Sequence, residues 1–311
     1  MVKTFLFVTD THFRADRPKL RTDDILKSQF EKLGEIITIA RENDVDAILH
    51  GGDFFNSKQV PHKLVVALMD WCKQIAMPIF AIRGNHDLTG YNLDSVWNSG
   101  LGPLFEAEAI ELLEKDRVWK KDKVVIKGID CSLDFKQDYM FDTRYDDYAK
   151  IIISHNYVIP TESMPFGFVH PKDIETNADL VLCGHYHVPF EYEHGKTKWI
   201  NPGPLCRWKI TEKDHKPQVI LITVDKGEII TKAVTLQSVK PPEKVFDLKV
   251  VEAEKKRQND IQSFVESLER TDVTSVDIEE VIQKVATRQK IKAEVVEEIL
   301  QRIRQAKEIL K

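Results

Sequence analysis

One pattern constrains this chain more than any other: a short apolar run that ends abruptly in polar residues able to bind a metal ion. Five such runs lead into Asp10-Thr11-His12, Gly51-Gly52-Asp53, Gly84-Asn85-His86-Asp87, His155 and Gly184-His185-Tyr186-His187. Short apolar runs bounded by glycine and polar residues are typical of buried strands. Open α/β sheets bind ligands beyond the carboxyl ends of their strands, so the pattern predicts one shared site at the edge of a sheet.

The first third of the chain alternates between predicted strands and predicted amphipathic helices. Strands are predicted at residues 3–9, 47–49 and 79–82, and helices at residues 23–43 and around 64–75. In both helices the apolar side chains recur at the three- and four-residue spacing that places them on one face. This alternation is typical of a sheet whose parallel strands are joined by right-handed crossovers.

The middle of the chain carries further predicted strands and one long connection. A helical stretch is predicted near 104–113, and a proline-rich loop, a candidate cover for the site, at 156–178. After His187 the pattern changes to short strands separated by turns, which predicts a second sheet with antiparallel pairs. The strands of this half are expected at 124–129, 150–153, 180–182, 190–193, 199–200, 219–224 and 229–235.

Composition places the chain among ordinary soluble proteins. Of its 311 residues, 42% are hydrophobic and 31% charged, and no apolar run approaches the length of a membrane span. The first apolar run is interrupted at Asp10, too early for a secretory signal. The four cysteines form no Cys-x-x-Cys pair, and Cys72 and Cys183 lie in apolar segments, which indicates buried thiols in a reducing compartment. We therefore expect a cytoplasmic protein without membrane contact.

Pro241-Pro242 marks a predicted boundary between a domain at residues 1–240 and a mostly helical region at residues 241–311. After a short predicted strand at 245–250, apolar residues recur every three or four positions, which predicts helices. The stripes comprise Ile261, Phe264, Val265 and Leu268; Ile278, Val281, Ile282 and Val285; and Val296, Ile299, Ile303, Ala306 and Leu310. Spacing alone favours packing of these stripes on one another or on the main domain. The alternative is that the last helix docks on a partner.

Asp, His and Asn side chains supply ligands that suit divalent cations such as manganese, iron(II) or zinc. Any one motif alone would more often be a capped strand end or a surface histidine. Together they predict a metal site with two ligands from the first motif, one each from the second, third and fourth, and two from the fifth. The net charge of −5 argues against a basic protein that coats DNA. It permits a nuclease, because two bound cations would reverse the sign of the local potential.

In order and approximate spacing, these motifs resemble those of the calcineurin-like metallophosphoesterases, over about residues 3 to 235. The resemblance implies an α/β fold, a two-sheet α/β/β/α sandwich, to which the sequence adds a small helical C-terminal appendage. It also implies two metal ions, the first held by Asp10, His12 and His187, the second by Asn85, His155 and His185, with Asp53 bridging both. Two cations about 4 Å apart can bind a phosphodiester and activate a hydroxide near neutral pH.

The resemblance gives the third motif a catalytic role as well. His86 would not bind metal but would face the phosphate, where it stabilises developing negative charge or protonates the leaving oxygen. Asp87 would orient the ring of His86. Both are therefore the predicted catalytic residues.

Within this superfamily the chain is most similar to the SbcD-type DNA repair nucleases and their phage-encoded relatives. The residues that carry this similarity are Arg21-Thr22-Asp23, His50-Gly51-Gly52-Asp53-Phe54-Phe55, Gly184-His185-Tyr186-His187 and Asn201-Pro202-Gly203-Pro204 followed by Arg207. It implies a manganese-dependent enzyme of DNA repair or recombination, an exonuclease on duplex ends and an endonuclease on single strands. It also implies an SMC-type ATPase of the SbcC kind as partner, and it leaves a homodimer open.

Some features depart from this resemblance, and other functions stay open. Asn56 stands three residues after Asp53, where nucleases of this group often have a histidine or an acidic residue. The alternatives are a phosphoesterase acting on a small nucleotide or a phosphoprotein, and a non-catalytic scaffold, against which the complete ligand set argues. Structural interpretations are favoured for His50, as a strand-end core residue, and for Trp199, Trp208 and Tyr192, as sheet packing, although aromatic faces can also stack on bases.

Overall fold

The computed structural model describes residues 2–162 and 167–250 continuously, and then 253, 256–257, 259, 261, 263, 282–283, 285–287 and 291–309. The chain divides into two compact units, Met1–Phe246 and Asp247–Lys311. Each unit is described by itself below. The assignment of separate roles to residues 1–240 and 241–311 stays a prediction.

Twelve strands and three α-helices make up the described part of the first unit. The strands are β1 (Lys3–Val8), β2 (Ala47–His50), β3 (Ile79–Ala81), β4 (Glu111–Leu112), β5 (Trp119–Lys121), β6 (Val124–Ile129), β7 (Ala149–Ser154), β8 (Leu180–Cys183), β9 (Phe190–His194), β10 (Thr197–Asn201), β11 (Gln218–Asp225) and β12 (Glu228–Thr235). The helices are α1 (Ile25–Glu42), α2 (His62–Ile75) and α3 (Gly102–Glu106). Short 3-10 helices lie at Leu93–Asn98, Lys136–Tyr139, Thr143–Tyr145, Pro171–Asp173, Ile210–Glu212 and Pro242–Lys244.

The strands form two six-stranded sheets with parallel centres. The first has the order β12-β11-β1-β2-β3-β4, in which β1 to β4 are parallel and β11 returns antiparallel to β1. The second has the order β5-β6-β7-β8-β10-β9, in which only the edge strands β5 and β9 are antiparallel to their neighbours. The carboxyl ends of β1, β2 and β3 therefore share one edge of the first sheet, and those of β7 and β8 share one edge of the second.

The two sheets pack face to face because their strands are apolar on both sides. In β1, Phe5 and Phe7 face the second sheet, while Leu6 and Val8 face the helices, as the two-residue period of a strand requires. Residues of β7 and β8 complete the intersheet core, among them Ile151, Ile153, Leu180 and Leu182. This burial of both faces explains why the central strands read as continuous apolar runs.

Helices α1 and α2 cover the outer face of the first sheet. Helix α1 begins after Asp24, whose carboxylate accepts a hydrogen bond from the backbone N–H of Lys27 and so caps the helix. Helix α2 ends at Ala76, which adopts the left-handed conformation common at helix ends. Both helices bury the apolar faces that their sequence spacing predicts. Among the described residues, loops and 3-10 helices that include Phe135, Tyr139 and Tyr145 cover the outer face of the second sheet.

Three predictions about individual elements are wrong. The stretch at 104–113 is not one helix, because α3 ends at Glu106 and the chain then enters β4. The strands after His187 do not form one sheet: β9 and β10 join the second sheet, while β11 and β12 complete the first. Residues 245–250 form no strand; Phe246 makes a single bridge to Arg21, and residues 248–250 are helical.

The described part of the second unit is helical and includes α4 (Ala293–Ile309). A small apolar cluster contains members of all three predicted stripes, namely Ile261, Ile282, Val285, Val296, Ile299 and Ile303. These stripes therefore pack on one another, as spacing alone favours. Phe264, Val265, Leu268, Ile278, Val281 and Leu310 lie outside the described residues. None of the helices that the structure describes is long and apolar enough to cross a membrane.

Candidate metal centre

The predicted ligands lie at the carboxyl ends of five strands and converge where the two sheets meet. They follow β1, β2 and β3 in the first sheet and β7 and β8 in the second, and they are Asp10, His12, Asp53, Asn85, His155, His185 and His187. Each of them contacts or closely approaches another member of the set. The structure thus brings together residues as far apart in the sequence as Asp10 and His187.

Asp10, His12 and His187 form the first group of donors. Asp10 Oδ1 lies 3.8 Å from His12 Nε2 and 3.6 Å from His187 Nε2. The two Nε2 atoms are 3.1 Å apart. One donor atom from each residue fits within 4.8 Å of the others, a spacing that allows all three to bind one ion.

Asn85, His155 and His185 form the second group, and Asp53 joins the two groups. Asn85 Oδ1 lies 2.8 Å from His185 Nδ1 and 3.3 Å from His155 Nε2. Asp53 Oδ2 lies 3.2 Å from His155 Nε2 and 3.6 Å from His12 Nε2, so the same oxygen faces both groups. This is the position that a bridging carboxylate needs. Carboxylate, imidazole and amide donors in these two groups suit a pair of borderline divalent cations.

Four of these ligand residues have a backbone conformation that is uncommon for residues other than glycine. The φ angles are 50° at Asp10, 44° at His12, 52° at Asp53 and 73° at His185. Left-handed conformations of this kind cost free energy and cluster at functional sites, where the surrounding structure imposes them. Here each occurs where a strand has just ended, and it turns the side chain toward the gap between the sheets.

Gly84 is required by the close approach of two motifs. A Cβ atom at this position would lie 2.2 Å from both the backbone nitrogen and Oδ1 of Asp53. The glycine therefore lets the loop after β3 lie directly against the Asp53 carboxylate. Beside it, the backbone N–H of His86 donates to Asp53 Oδ1 at 2.8 Å and fixes the carboxylate's orientation.

An ion pair joins the two sheets directly behind the site. Arg83, which precedes Gly84, donates through Nη2 to Asp130 Oδ2 at 2.7 Å and through its backbone N–H to Asp130 Oδ1 at 2.7 Å. Asp130 follows β6 in the second sheet, and Cys131 N donates back to Arg83 O at 3.0 Å. This bidentate contact sets the spacing of the sheets next to the loop that carries Asn85.

Glu212 is a site residue that sequence reasoning missed. Its Oε1 accepts a hydrogen bond from His187 Nδ1 at 2.8 Å, which leaves His187 Nε2 to face Asp10. Its Oε2 accepts from the backbone N–H groups of Trp208 and Lys209 at 2.5 and 3.2 Å. A carboxylate that orients a metal-binding histidine in this way raises the ligand's basicity. No motif signals this role, since Glu212 lies in a short loop helix 25 residues beyond His187.

Backbone groups orient the other ligands. His155 Nδ1 donates to the carbonyl of Gly51 at 2.6 Å, so its Nε2 is the atom that faces Asp53. The backbone N–H of His185 donates to Asp10 at 3.1 Å, and Thr9 Oγ1 donates to Asp10 Oδ2 at 2.7 Å. The ligands of the two sheets therefore hold one another in place.

The buried carboxylates of Asp10 and Asp53 lie next to His155 and His187, and each kind of group shifts the pKa of the other. Burial raises the pKa of Asp10, but attraction to His187 and His155 outweighs it and brings the pKa to about 2. Burial lowers the pKa of His155 and His187, but contacts with Asp53 raise the former to about 9, and contacts with Asp10 and Glu212 raise the latter to about 10. A metal ion bound to these nitrogens would displace protons.

His86 and Asp87 occupy different environments, and one predicted contact between them is wrong. His86 is exposed, and its Nδ1 donates to the backbone carbonyl of Asn56 at 2.7 Å. Asp87 is buried, and its carboxylate accepts from the backbone N–H groups of Gly84, Phe54 and Phe55 at 3.0, 3.3 and 3.3 Å. Asp87 therefore shapes the loop, and the carbonyl of Asn56 orients the His86 ring instead. Burial and the nearby charge of Asp53 raise the pKa of Asp87 to about 7.

His86 also lies close to the metal ligands. One of its donor atoms falls within 4.8 Å of donors of His12 and Asp53, and its ring centroid is 4.7 Å from that of His12. These distances and its exposure place His86 at the rim of the site.

Outside the proposed ligands, the residues that carry the similarity to SbcD-type nucleases mainly stabilise the loops of this chain. Arg21 forms a buried bidentate ion pair with Asp23 and donates to the carbonyl of Arg207 at 2.5 Å. Asn201 Nδ2 donates to the carbonyl of Tyr186 at 2.6 Å and so supports the loop that carries two ligands. His50 is buried at the end of β2, beside Thr11, as its structural interpretation expects.

Trp199 and Tyr192 pack on a sheet as predicted, whereas Trp208 packs in a loop beside helix α1. Trp199 is fully buried, Trp208 lies in a small apolar cluster with Ile25 and Cys206, and Tyr192 packs against the outer core of the second sheet.

A cleft of about 520 Å³ opens at the metal centre. Its floor contains Asp53, Asn85 and His185, and His86 lies at its side. Tyr186 of the fifth motif also lines the cleft, together with residues outside the motifs, namely Tyr157, Val188, Pro189, Lys209, Thr211, Glu212 and His215. The cleft extends well beyond the space of a phosphate group and is large enough for part of a larger ligand.

The model of the calcineurin-like phosphoesterase family matches residues 3–189, which is more than half of the chain and includes every predicted ligand. The chain belongs to this family. A solved dimetal phosphatase from Danio rerio has the same fold, with a TM-score of 0.52 at 10% identity over 76% of this chain and 97% of that one. The predicted metallophosphoesterase sandwich is therefore confirmed.

Among curated proteins, this calcineurin-like phosphoesterase is similar to double-strand break repair proteins and to a component of a nuclease. It is 24% identical to MRE11 of Encephalitozoon cuniculi, over 88% of this chain and 56% of the relative. It is 26% identical to Mre11 of Methanosarcina mazei, over 71% and 36%, and 24% identical to the SbcD component of the nuclease SbcCD of Bacillus subtilis, over 70% and 66%. The chain thus spans about one third to two thirds of these relatives, and the predicted similarity to SbcD-type proteins is confirmed.

Proposed function

We propose that this chain is a DNA nuclease that hydrolyses phosphodiesters with two divalent metal ions. The observation that carries the proposal is the convergence of donors from both sheets into two groups that meet at Asp53. Paired cations are the means by which many phosphodiesterases bind a phosphate and activate water. The names of the relatives, which are repair proteins and a nuclease component, favour DNA as the substrate.

Each group of donors would hold one ion, most suitably Mn²⁺, and Asp53 would contribute to both, since its Oδ2 faces both groups. Asp10, His12 and His187 would hold the first ion, and Asn85, His155 and His185 the second. When bound, the ions would supply the positive charge that binds the phosphate oxygens and polarises the attacking water. The remaining steps depend on what the chain's own side chains orient and donate.

His86 is the proposed acid at the rim of the site. Because a carbonyl oxygen only accepts hydrogen bonds, the contact with Asn56 O places a proton on Nδ1 and leaves Nε2 to act on the substrate. In its protonated form His86 would donate from Nε2 to a phosphate oxygen or to the leaving oxygen. The role depends on the backbone of residue 56 and not on its side chain. Asparagine in place of histidine or an acidic residue is therefore compatible with this step.

The forms of DNA that are cleaved and the partner protein are inferred from the similarity to the same relatives. We propose cleavage from duplex ends and within single strands, in DNA repair or recombination, together with an SMC-type ATPase of the SbcC kind. The second unit is the proposed contact for that ATPase. It carries a groove of about 840 Å³ that is lined by apolar side chains, such as Val296 and Leu300, and by polar ones, such as Gln283 and Glu297. The cytoplasm is the proposed compartment, in keeping with four buried free cysteines.

The proposal is tested with end-labelled duplex DNA, single-stranded DNA and bis(p-nitrophenyl) phosphate, each with manganese or with a chelator. We expect manganese-dependent cleavage of both DNA forms and of the ester. Turnover of the ester alone would favour the alternative, a phosphoesterase that acts on small substrates. Lack of any turnover by a protein that binds two equivalents of manganese would favour the scaffold.

A further inference from the structure

The lining of the cleft at the metal centre includes two kinds of side chain. Tyr157 and Tyr186 are aromatic, whereas Lys209, Thr211 and Glu212, from the loop before β11, are polar or charged. A nucleotide has the same division, since its base is flat and apolar on its faces and its phosphate is charged.

The two tyrosine rings form a corner. Their centroids are 6.3 Å apart, and the ring planes meet at 67°. Tyr157 also packs edge-on against His185, with centroids 5.2 Å apart and an interplanar angle of 87°. A flat ligand in this corner can stack on one ring and meet the edge of the other, the two arrangements that aromatic groups prefer.

Both tyrosines are held in place by their backbones. Asn201 Nδ2 donates to the carbonyl of Tyr186 at 2.6 Å, and Tyr186 N donates to the carbonyl of Gly184 at 2.9 Å. Val169 N donates to the carbonyl of Tyr157 at 2.9 Å. Each ring is half-buried, so one part is supported while the other part faces the cleft. A surface that is fixed before binding loses little conformational freedom when a ligand is bound.

We propose that Tyr157 and Tyr186 form a stacking platform for the nucleobase next to the scissile phosphate. This inference rests on the proposed nuclease function and adds a preference for substrate. A base can reach the platform only if it leaves its neighbours in the duplex, so the platform selects single strands and frayed ends. Stacking on an aromatic side chain accepts any base, because every base has a π face. The platform therefore gives little sequence preference.

A supporting role for Tyr157 is the competing explanation, because its ring packs against the ligand His185. Loss of that support would slow the cleavage of every substrate to the same degree. Loss of a stacking platform would slow only substrates that offer a base at the right place. A pair of substrates that differ in a single base separates these explanations.

The experiment uses short single-stranded oligonucleotides with one cleavable phosphodiester, made intact or abasic on the 5′ or the 3′ side of that bond. With manganese, the native chain should cleave the intact strand about tenfold more efficiently in kcat/KM than one of the two abasic strands. Tyr157→Leu and Tyr186→Leu should lose this preference while still binding two equivalents of manganese. Tyr157→Phe and Tyr186→Phe keep the ring and should retain it, as should Tyr91→Leu, a change at an exposed tyrosine that does not line the cleft.

Three results would overturn the platform. One is equal cleavage of intact and abasic strands by the native chain, and another is a preference that survives both leucine changes. The third concerns thymidine 5′-(p-nitrophenyl phosphate), which offers a base without a strand. If this ester were hydrolysed and no oligonucleotide were cleaved, the tyrosines would serve free nucleotides instead of DNA. Failure to hydrolyse any of these substrates would instead refute the proposed function itself, and the platform with it.

Discussion

Replacement of Glu212 by glutamine should weaken one metal site and leave the other intact. Glu212 uses both carboxylate oxygens as acceptors: Oε1 for His187 Nδ1, and Oε2 for two backbone N–H groups. A glutamine has a single acceptor oxygen and an NH₂ group that only donates. If the oxygen stays with the backbone, the NH₂ group faces His187 Nδ1 and turns that nitrogen into an acceptor. The proton then moves to Nε2, the atom that would bind metal.

The size of the effect follows from the role of such partners in known metal sites. Removing the carboxylate that orients a metal-binding histidine typically lowers metal affinity or activity by about 10- to 100-fold. Here the loss should fall on the ion held with Asp10 and His12, because the ligands of the second ion make no contact with Glu212 among the described hydrogen bonds. Calorimetric titration with manganese should show one site weakened and one site unchanged.

Glu228→Gln, an exposed change on β12, provides the control and should leave both sites as they are. If Glu212→Gln bound both ions with native affinity, the proposed orientation of His187 would be wrong. If both sites weakened together, Glu212 would support the fold of the whole loop instead of one ligand. A melting curve of the metal-free variant separates that second case, since general loosening would lower the melting temperature.

Four further variants test the roles of Asp53, His86, Gly84 and the C-terminal region. Asp53→Ala should remove both metal ions, because one oxygen faces both groups, and retention of full activity would disprove the bridging role. His86→Ala should keep both ions while turnover falls by about 10²–10⁴-fold, whereas loss of one ion on titration would make His86 a ligand. Gly84→Ala should lose metal binding, because its Cβ would lie 2.2 Å from Asp53, and a native manganese titration would refute the need for this close approach. A chain that ends at Thr271 should still bind two ions and hydrolyse a small phosphodiester but should no longer co-purify with its ATPase, and an insoluble product would make the tail part of the core.

The sequence predicts the positions of the ligands because each follows a strand, and strands have a strong local signature. The segment Phe5 to Val8 is apolar at every position, because the helices cover one face of β1 and the second sheet covers the other. The change to a polar residue at Asp10 marks the end of this buried segment. Parallel strands then bring all such ends to one edge, so neighbours in space are predicted without knowing any distance. The helix predicted at 104–113 and the strand predicted at 245–250 are wrong. In both segments the apolar run is short, and the spacing of apolar residues in a short run does not distinguish a helix from a strand.

What the sequence could not predict depends on contacts that leave no local pattern. The acceptor for His86 is the backbone carbonyl of Asn56, a group that every residue has. The identity of the side chain at position 56 therefore matters less than the sequence analysis implied. Asp87 looked like a partner for His86 because the two are adjacent, but its carboxylate turns inward to three backbone N–H groups. Glu212 reaches His187 only because a short loop helix folds back over the site.

The return of β11 to pair with β1 has a consequence for how the chain is made. β1 and β2 leave the ribosome early, yet the second neighbour of β1 is not synthesised until residues 218–225. Until then β1 presents an open edge, and such edges promote pairing with other chains. All the proposed ligands have been synthesised once the chain reaches His187. The sheet that carries Asp10, His12, Asp53 and Asn85 is still incomplete at that point. We therefore expect that a chain cut after residue 189 aggregates during synthesis, whereas one extended past Phe246 folds, which fractionation of ribosome-released products would measure.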